Sequence, residues 1–106
     1  MIGYNALEMD EYLDYFNVMS YDFYRGDDSE IQHQASYSET VHALQLWVLH
    51  GAPKNKILMG IPAYGVGWIA NRCAPGAPVS GPAPAQKLSG EEANAAYFDV
   101  SSQCGK

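Results

Sequence analysis

The sequence predicts an α/β fold in which two short parallel strands are joined by a crossover helix. The run from Tyr15 to Tyr21 is mostly apolar on both faces, which is typical of a parallel strand covered on both sides. A second apolar run, Ile57 to Ile61, has strand length, and a helical pattern lies between the two. This order of strand, helix and strand implies a right-handed βαβ unit.

The first elements are a short helix and a strand. Residues Leu7 to Leu13 are acidic and compatible with a helix, and Tyr15 to Tyr21 follow as the first strand. Strand side chains alternate between faces, so the first strand presents two sets. One set is Asn17, Met19 and Tyr21, and the other is Phe16, Val18 and Ser20.

The crossover helix has the clearest local signals. After a polar connection from Arg25 to Gln34, Ser36 and Glu39 fit a capping box, and Gly51 and Pro53 supply stop signals. Four apolar side chains have helical spacing: Tyr37, Val41, Leu44 and Val48. A turn of sequence KNK then leads into the second strand, which Pro62 closes.

The C-terminal third changes in composition. Residues from Arg72 to Gly90 are dense in Gly and Pro, which predicts a domain boundary and no regular sheet. Glu91 to Ser102 is predicted to be helical or mixed. Because two parallel strands alone leave apolar faces and edges uncovered, the chain is expected to be incomplete as a fold.

Charge and composition argue against several classes of protein. The 106 residues carry twelve acidic and six basic side chains, a net charge of −6, which is the wrong sign for nucleic acid. No stretch approaches the ~20 apolar residues of a membrane helix. Eight Tyr and two Trp suit either stacking on sugar rings or core packing.

The two cysteines and the N-terminus bear on the compartment. Cys73 and Cys104 could form one disulfide, which weakly favours an oxidising compartment, and they lack CxxC spacing. The N-terminal residues contain no signal-peptide pattern, so the protein is expected to be cytosolic or to begin upstream.

Motifs for metals and cofactors are missing from the sequence. His33, His42 and His50 share no face at metal-ligand spacing, and no phosphate-binding loop, nucleophile elbow or HExxH pattern occurs. We therefore predict no metal site and no cofactor.

The predicted strand ends carry the candidate functional residues. Tyr21 and Asp22 end the first strand and Tyr64 ends the second, which is where parallel barrels place their working residues. Tyr21 can donate a hydrogen bond to a carbonyl oxygen. The alternatives are that Asp22 only forms a turn and that Tyr64 belongs to the core.

Two stretches carry a family resemblance. LDYFNVMSYDFY, followed by GAPKNKILMGIPAYG, resembles the sixth and seventh barrel strands of the glycoside hydrolase family 18 chitinases and chitinase-like lectins. The later APGAPVSGPAPAQKLSGEEANAAYFDV is similar to the start of that family's insertion domain. The resemblance implies a partial TIM (β/α)8 barrel over residues 1–70 and the start of a small α+β insertion domain over 71–106.

The resemblance also implies roles for four residues. Met19 would line the pocket floor and Tyr21 would hydrogen-bond the sugar acetamide. Asp22 would hold the distorted ring, and Tyr64 would line the cleft. The implied partners are chitin or N-acetylglucosamine oligosaccharides, and the implied parent is a secreted chitinase of carbohydrate metabolism that uses no cofactor. In that mechanism the N-acetyl oxygen of the substrate attacks the anomeric carbon.

The sequence also departs from the family pattern. It lacks the D-x-x-D-x-D-x-E motif that holds the family's acid, so we expect no hydrolysis by this chain alone. Val66 stands where Arg is usual, YRGDDSEIQHQ replaces a loop that commonly contains Gly and Trp, and Cys104 lies a few residues past the usual cysteine. Three hypotheses remain: a chitinase fragment, a piece of a non-catalytic chitin-binding lectin, and a free-standing small α/β interaction module.

Overall fold

A computed structural model describes residues 3–24, 29–72, 74, 76–82 and 94–96 of the chain. The chain divides into two compact units. The first unit is Met1–Tyr21 with Ala35–Ile61, and the second unit is Asp22–Gln34 with Pro62–Lys106. The helices and strands are α1 (Ala6–Met9), β1 (Phe16–Val18), α2 (Tyr37–Leu49), a 3₁₀ turn (Lys54–Lys56), β2 (Ile57–Met59), β3 (Tyr64–Val66), β4 (Trp68–Ala70), β5 (Val79–Pro82) and β6 (Asn94–Ala96).

The first unit contains the predicted βαβ arrangement. Strands β1 and β2 pair in parallel, with Phe16 opposite Ile57 and Val18 opposite Met59. Helix α2 connects them in sequence. The predicted order of strand, helix and parallel strand is therefore confirmed.

Helix α2 begins and ends at the predicted signals. The Ser36 hydroxyl accepts a hydrogen bond from the Glu39 N–H at 3.3 Å, which satisfies one of the amide groups left open at a helix start. After the helix, Gly51 adopts a φ of +104°, a conformation that side chains with a Cβ rarely adopt. A Cβ at this position would also lie only 2.8 Å from Leu7 Cβ, so glycine permits the close approach to α1.

The core of the first unit lies on one face of β1. Phe16 and Val18 are buried together with Ala6 and Ala52, and Trp47 of α2 packs against this group. The Trp47 ring lies 5.7 Å from the Phe16 ring, centroid to centroid. Burial of this apolar surface stabilises the packing of α2 on the parallel pair.

The predicted division of β1 into two faces is confirmed by the burial of its side chains. Phe16, Val18 and Ser20 are buried, whereas Asn17 and Met19 are exposed. The open Asn17 face agrees with the expectation that two parallel strands alone leave apolar faces uncovered.

Both parallel strands are shorter than predicted. Strand β1 ends at Val18 instead of Tyr21, because the Val18 carbonyl accepts the N–H of Ser20 at 3.0 Å and that of Gly60 at 2.8 Å. Strand β2 ends at Met59 instead of Ile61, and Pro62 has no N–H with which to extend a ladder. Helix α1 is likewise shorter than the predicted 7–13 stretch, and the Asn5 side chain caps it at the Glu8 N–H.

The second unit contains two antiparallel pairs that the sequence did not predict. Strand β3 pairs with β6, and β4 pairs with β5 with an irregularity between Ile69 and Ala70. The expectation of no regular sheet within 72–90 is thus wrong for β5. Both strands of a two-stranded ribbon are edge strands, and edges tolerate Pro82.

Two further observations in the second unit bear on the predicted elements. Residues 94–96, within the stretch predicted to be helical or mixed, form a strand. Tyr64, predicted to end the second strand, instead begins β3, because β2 has already ended at Met59.

Some predictions fall outside the described residues. They concern the possible disulfide between Cys73 and Cys104 and the elements predicted within 83–93 and 97–106. Across the part of the chain that the structure describes, no helix has the length and apolar character needed to span a membrane. The longest described helix, α2, has 13 residues.

Candidate functional site

Tyr21, the candidate residue that follows β1, lies against a glycine. A Cβ at position 60 would be 2.7 Å from Tyr21 Cε1 and 2.8 Å from the Val18 carbonyl oxygen. The ring of Tyr21 therefore packs directly on the backbone of Gly60, which any larger residue would push away.

Ser20 fixes the backbone between Val18 and Tyr21. Its side chain is 1% exposed, and its hydroxyl donates to the Gly60 carbonyl at 2.9 Å. The same glycine donates its N–H to the Val18 carbonyl at 2.8 Å. These two hydrogen bonds join the segments after β1 and β2, because one glycine serves as acceptor and donor.

Met19 is the most exposed of the four candidate residues. Its side chain is 74% exposed, with Ser20 on the opposite, buried face. A large exposed apolar side chain beside Tyr21 in sequence is free to contact an apolar part of a ligand.

Asp22, in the second unit, has an unusual backbone conformation. Its φ is +58°, the left-handed region, and it is the non-glycine residue with positive φ in the part of the chain that the structure describes. Aspartate adopts this conformation more readily than most non-glycine residues, but at some cost in free energy. Surrounding interactions must therefore hold the residue in place.

Asp22 and Tyr64 are brought together by a direct hydrogen bond. The Tyr64 hydroxyl donates to Asp22 Oδ1 at 2.5 Å, across 42 positions of sequence, and both side chains are half-buried. A hydrogen bond to a carboxylate is shorter and stronger than a neutral one. Because a carboxylate has about four lone-pair sites, Asp22 can accept a further hydrogen bond while it holds Tyr64.

Gln34 makes three hydrogen bonds to the backbone around this pair. Its Oε1 accepts the Asp22 N–H at 3.0 Å, and its Nε2 donates to the Tyr64 carbonyl at 3.1 Å. Its own carbonyl accepts the Phe23 N–H at 2.9 Å. Gln34 is only 9% exposed, so its amide is a buried polar group with partners on both ends.

The histidines and carboxylates provide no cluster for a metal. His33 and His42 are exposed, and the His50 ring nitrogen Nδ1 lies 2.7 Å from the Leu46 carbonyl oxygen at the end of α2. Within the described ranges, no three His, Cys, Asp or Glu residues are placed to hold an ion.

The structure joins two of the four candidate residues, Asp22 and Tyr64, by a hydrogen bond. The sequence did not single out Ser20 or Gln34, whose hydrogen bonds hold the neighbouring backbone. Ser20 had a signal, since it shares the parity of the buried Phe16 and Val18 and so had to satisfy a buried hydroxyl. No sequence signal marks Gln34. It ends a polar connection, where the sequence does not distinguish a buried glutamine from a solvated one.

The fold of the chain matches solved structures of chitinases. The group IV chitinase of Ostrinia furnacalis, solved in complex with allosamidin, superposes with a TM-score of 0.81 and 26% identity over 92% of this chain and 30% of that one. Human YKL-39, described as a pseudo-chitinase with retained chitooligosaccharide binding properties, gives a TM-score of 0.75 and 26% identity over 92% of this chain and 31% of that one.

The sequence matches the pattern of the glycosyl hydrolases family 18 over residues 1–104. It is also 32% identical to the probable chitinase 10 of Drosophila melanogaster, over 91% of this chain and 5% of that protein. The chain therefore belongs to the glycosyl hydrolases family 18, as the resemblance implied. Its parallel strands and crossover helix are a part of the α/β barrel of such proteins, and it spans less than a third of the solved relatives.

Proposed function

We propose that this chain supplies saccharide-binding residues of a chitinase that hydrolyses β-1,4-linked N-acetylglucosamine polymers. The observation that carries the proposal is the hydrogen bond from Tyr64 to the Asp22 carboxylate in a member of this family. A fixed carboxylate with remaining acceptor capacity suits the amide N–H and hydroxyl donors of an N-acetylated sugar.

Each unit supplies two of the four proposed saccharide-binding residues. In the second unit, Asp22 accepts a hydrogen bond from the bound sugar and holds its distorted ring, and Tyr64 keeps the carboxylate oriented. In the first unit, the Tyr21 hydroxyl donates to a carbonyl oxygen of the sugar, and the exposed Met19 contacts its apolar face. Residues 71–106 are proposed to begin the insertion domain.

The proposed reaction is substrate-assisted. The acetamide oxygen attacks the anomeric carbon, and the glycosidic C–O bond breaks as an acid protonates the leaving oxygen. Water then gives a proton to the deprotonated acid and attacks the anomeric carbon, the bond from that carbon to the acetamide oxygen breaks, and configuration is retained. Oriented groups around the acetamide favour the attack because they hold it in the reactive geometry.

The acid must come from outside these residues. Glu8 and Glu39 belong to the starts of α1 and α2, and the family's acid motif does not occur in the sequence. General acid catalysis typically contributes ~10²- to 10⁴-fold, so the chain by itself is expected to be inactive. Secretion of the whole protein is part of the proposal, because polymeric chitin is an extracellular substrate.

A second function is favoured by a specific observation. Val66 in β3 replaces the usual Arg, and the solved relatives include YKL-39, a pseudo-chitinase that binds chitooligosaccharides. A protein that binds the sugar without cleaving it would keep Asp22 and Tyr64 and still lack turnover.

Calorimetry with tetra-N-acetylchitotetraose, followed by product analysis, tests both functions on the native protein. Binding with release of shorter oligosaccharides supports the chitinase, and binding without products supports the non-catalytic lectin. Asp22→Ala should weaken binding at least tenfold, which is the loss of about one hydrogen bond to a charged group. If neither binding nor cleavage occurs in the native protein, the proposal is wrong.

A further inference from the structure

We infer that Gln34 is a positioning residue that sets the geometry of the Asp22–Tyr64 pair. The role of Gln34 in saccharide binding rests on the proposed function. Its effect on the geometry of the pair is inferred from contacts within the protein, without a ligand. The Gln34 side chain hydrogen-bonds to the backbones of Asp22 and Tyr64, whose side chains are hydrogen-bonded to each other.

The first step is the closed ring of hydrogen bonds. The side chains of Asp22 and Tyr64 meet directly, while the Gln34 amide joins the Asp22 N–H to the Tyr64 carbonyl. Two segments that are 42 positions apart are thereby tied at two points, through side chains and through backbone. A ring tied at two points restricts rotation of the pair more than either bond alone.

The second step concerns the backbone of Asp22. With a φ of +58°, Asp22 directs its own N–H to Gln34 Oε1, and the next N–H, that of Phe23, to the Gln34 carbonyl. Gln34 thus presents two acceptors to two successive amides of the left-handed turn. Loss of the side-chain acceptor removes one of the interactions that favour this conformation over ordinary backbone.

The third step is burial. The Gln34 amide is buried and makes one donor and one acceptor hydrogen bond, so a side chain that can make only one of them loses a contact with the pair. The lost contact would be the one to the Asp22 N–H or the one to the Tyr64 carbonyl. A change at position 34 is therefore transmitted to the pair.

The test compares the native protein with two substitutions at Gln34, a control substitution, and Tyr64→Phe alone and combined with Gln34→Met. Gln34→Met keeps the length of the side chain and removes both hydrogen bonds, and Gln34→Glu keeps an acceptor and removes the donor. The matched control is Gln32→Met, a half-buried glutamine in the same segment. Circular dichroism and thermal unfolding establish which variants fold.

A ligand-independent readout is the Cζ resonance of Tyr64 in protein with ¹³C-labelled tyrosine. The resonance is assigned by its disappearance in Tyr64→Phe, and it reports the hydrogen bond of the hydroxyl. Gln34→Met should move it toward the position of a solvated tyrosine, Gln34→Glu should move it part of the way, and Gln32→Met should leave it in place. An unmoved resonance in either folded Gln34 variant would overturn the inference.

A ligand-dependent readout separates positioning from general destabilisation. Gln34→Met should weaken binding of tetra-N-acetylchitotetraose about tenfold, but only where Tyr64 retains its hydroxyl. In the Tyr64→Phe background the same substitution should change affinity less than twofold, because the pair is already broken. An equal loss in both backgrounds would contradict positioning through the pair. If the native protein does not bind the oligosaccharide, the proposed function fails, while the Tyr64 resonance still decides the role of Gln34.

Discussion

Each of the two units is stabilised internally by a different kind of interaction. In the first unit, Phe16, Val18 and Trp47 form an apolar core around a parallel pair of strands. In the second unit, the Asp22–Tyr64 pair is held by hydrogen bonds of a buried glutamine. Apolar packing tolerates small shifts because it has no direction, whereas a hydrogen-bond ring depends on angles and distances. The first unit is thus expected to respond to lost volume and the second to lost polar atoms.

Removal of core volume should give the largest effect. Phe16→Ala deletes a ring that is 4% exposed and packs 5.7 Å from Trp47. We expect the free energy of unfolding to fall by about 3–5 kcal/mol, since both transfer energy and packing are lost. Urea unfolding of the native protein, followed by tryptophan fluorescence, measures the change. Tyr12→Ala is the control, because Tyr12 is 83% exposed and should shift stability by less than about 0.5 kcal/mol.

Added volume at Gly60 should have the next largest effect. Gly60→Ala places a methyl group 2.7 Å from Tyr21 Cε1 and 2.8 Å from the Val18 carbonyl oxygen. We expect a loss of about 1–3 kcal/mol by overpacking, measured by urea unfolding.

The neighbour Ile61 provides the control for position 60. Ile61→Ala alters a side chain that is 76% exposed and should be nearly neutral. A Gly60→Ala protein as stable as the native one would show that the Tyr21 ring is not held on the glycine.

Loss of the tyrosine hydroxyl tests the polar region. Tyr64→Phe removes the donor to Asp22 Oδ1 and keeps the ring. We expect a loss of stability of about 1.5 kcal/mol, the usual contribution of a hydrogen bond to a charged group. Thermal unfolding measures it, with Tyr37→Phe as the control because Tyr37 is 85% exposed. If the two substitutions have equal effects, the polar contrast between the units is wrong.

Loss of the half-buried ion pair between Lys56 and Asp10 should give the smallest effect. Lys56 Nζ lies 2.7 Å from Asp10 Oδ1, and both side chains are about one-third exposed, at 30% and 32%. Lys56→Met should cost at most about 1 kcal/mol. Unfolding in low and high salt should show this difference shrinking with ionic strength, because salt screens partly exposed charges. A difference that does not depend on salt would assign the effect to the hydrogen bond from Lys56 to the Asp10 carbonyl.

The contrast between the units also explains how far the sequence could predict them. Hydrophobic periodicity and caps act locally, so α2 and the parallel pair followed from Ser36, Gly51 and two apolar runs. The strand ends did not follow, because the Val18 carbonyl is shared between Ser20 and Gly60, which lies far along the chain.

The candidate site was predictable only in part, and for the same reason. Asp22 and Tyr64 could be found from the family motifs that contain them. The hydrogen bond between them joins positions 42 residues apart, and the Gln34 bonds join positions 12 and 30 apart. Periodicity over a short window carries no information on such pairs.

The left-handed backbone of Asp22 limits the amino acids that can replace it in a redesign of this protein. A φ of +58° is readily adopted by glycine, asparagine and aspartate, and of these only aspartate brings a negative charge. Glutamate would keep the negative charge but does not favour the left-handed backbone conformation. Asparagine would favour that conformation but lacks the charge. Position 22 therefore has no conservative replacement, and libraries built to change the specificity of this protein should vary its neighbours instead.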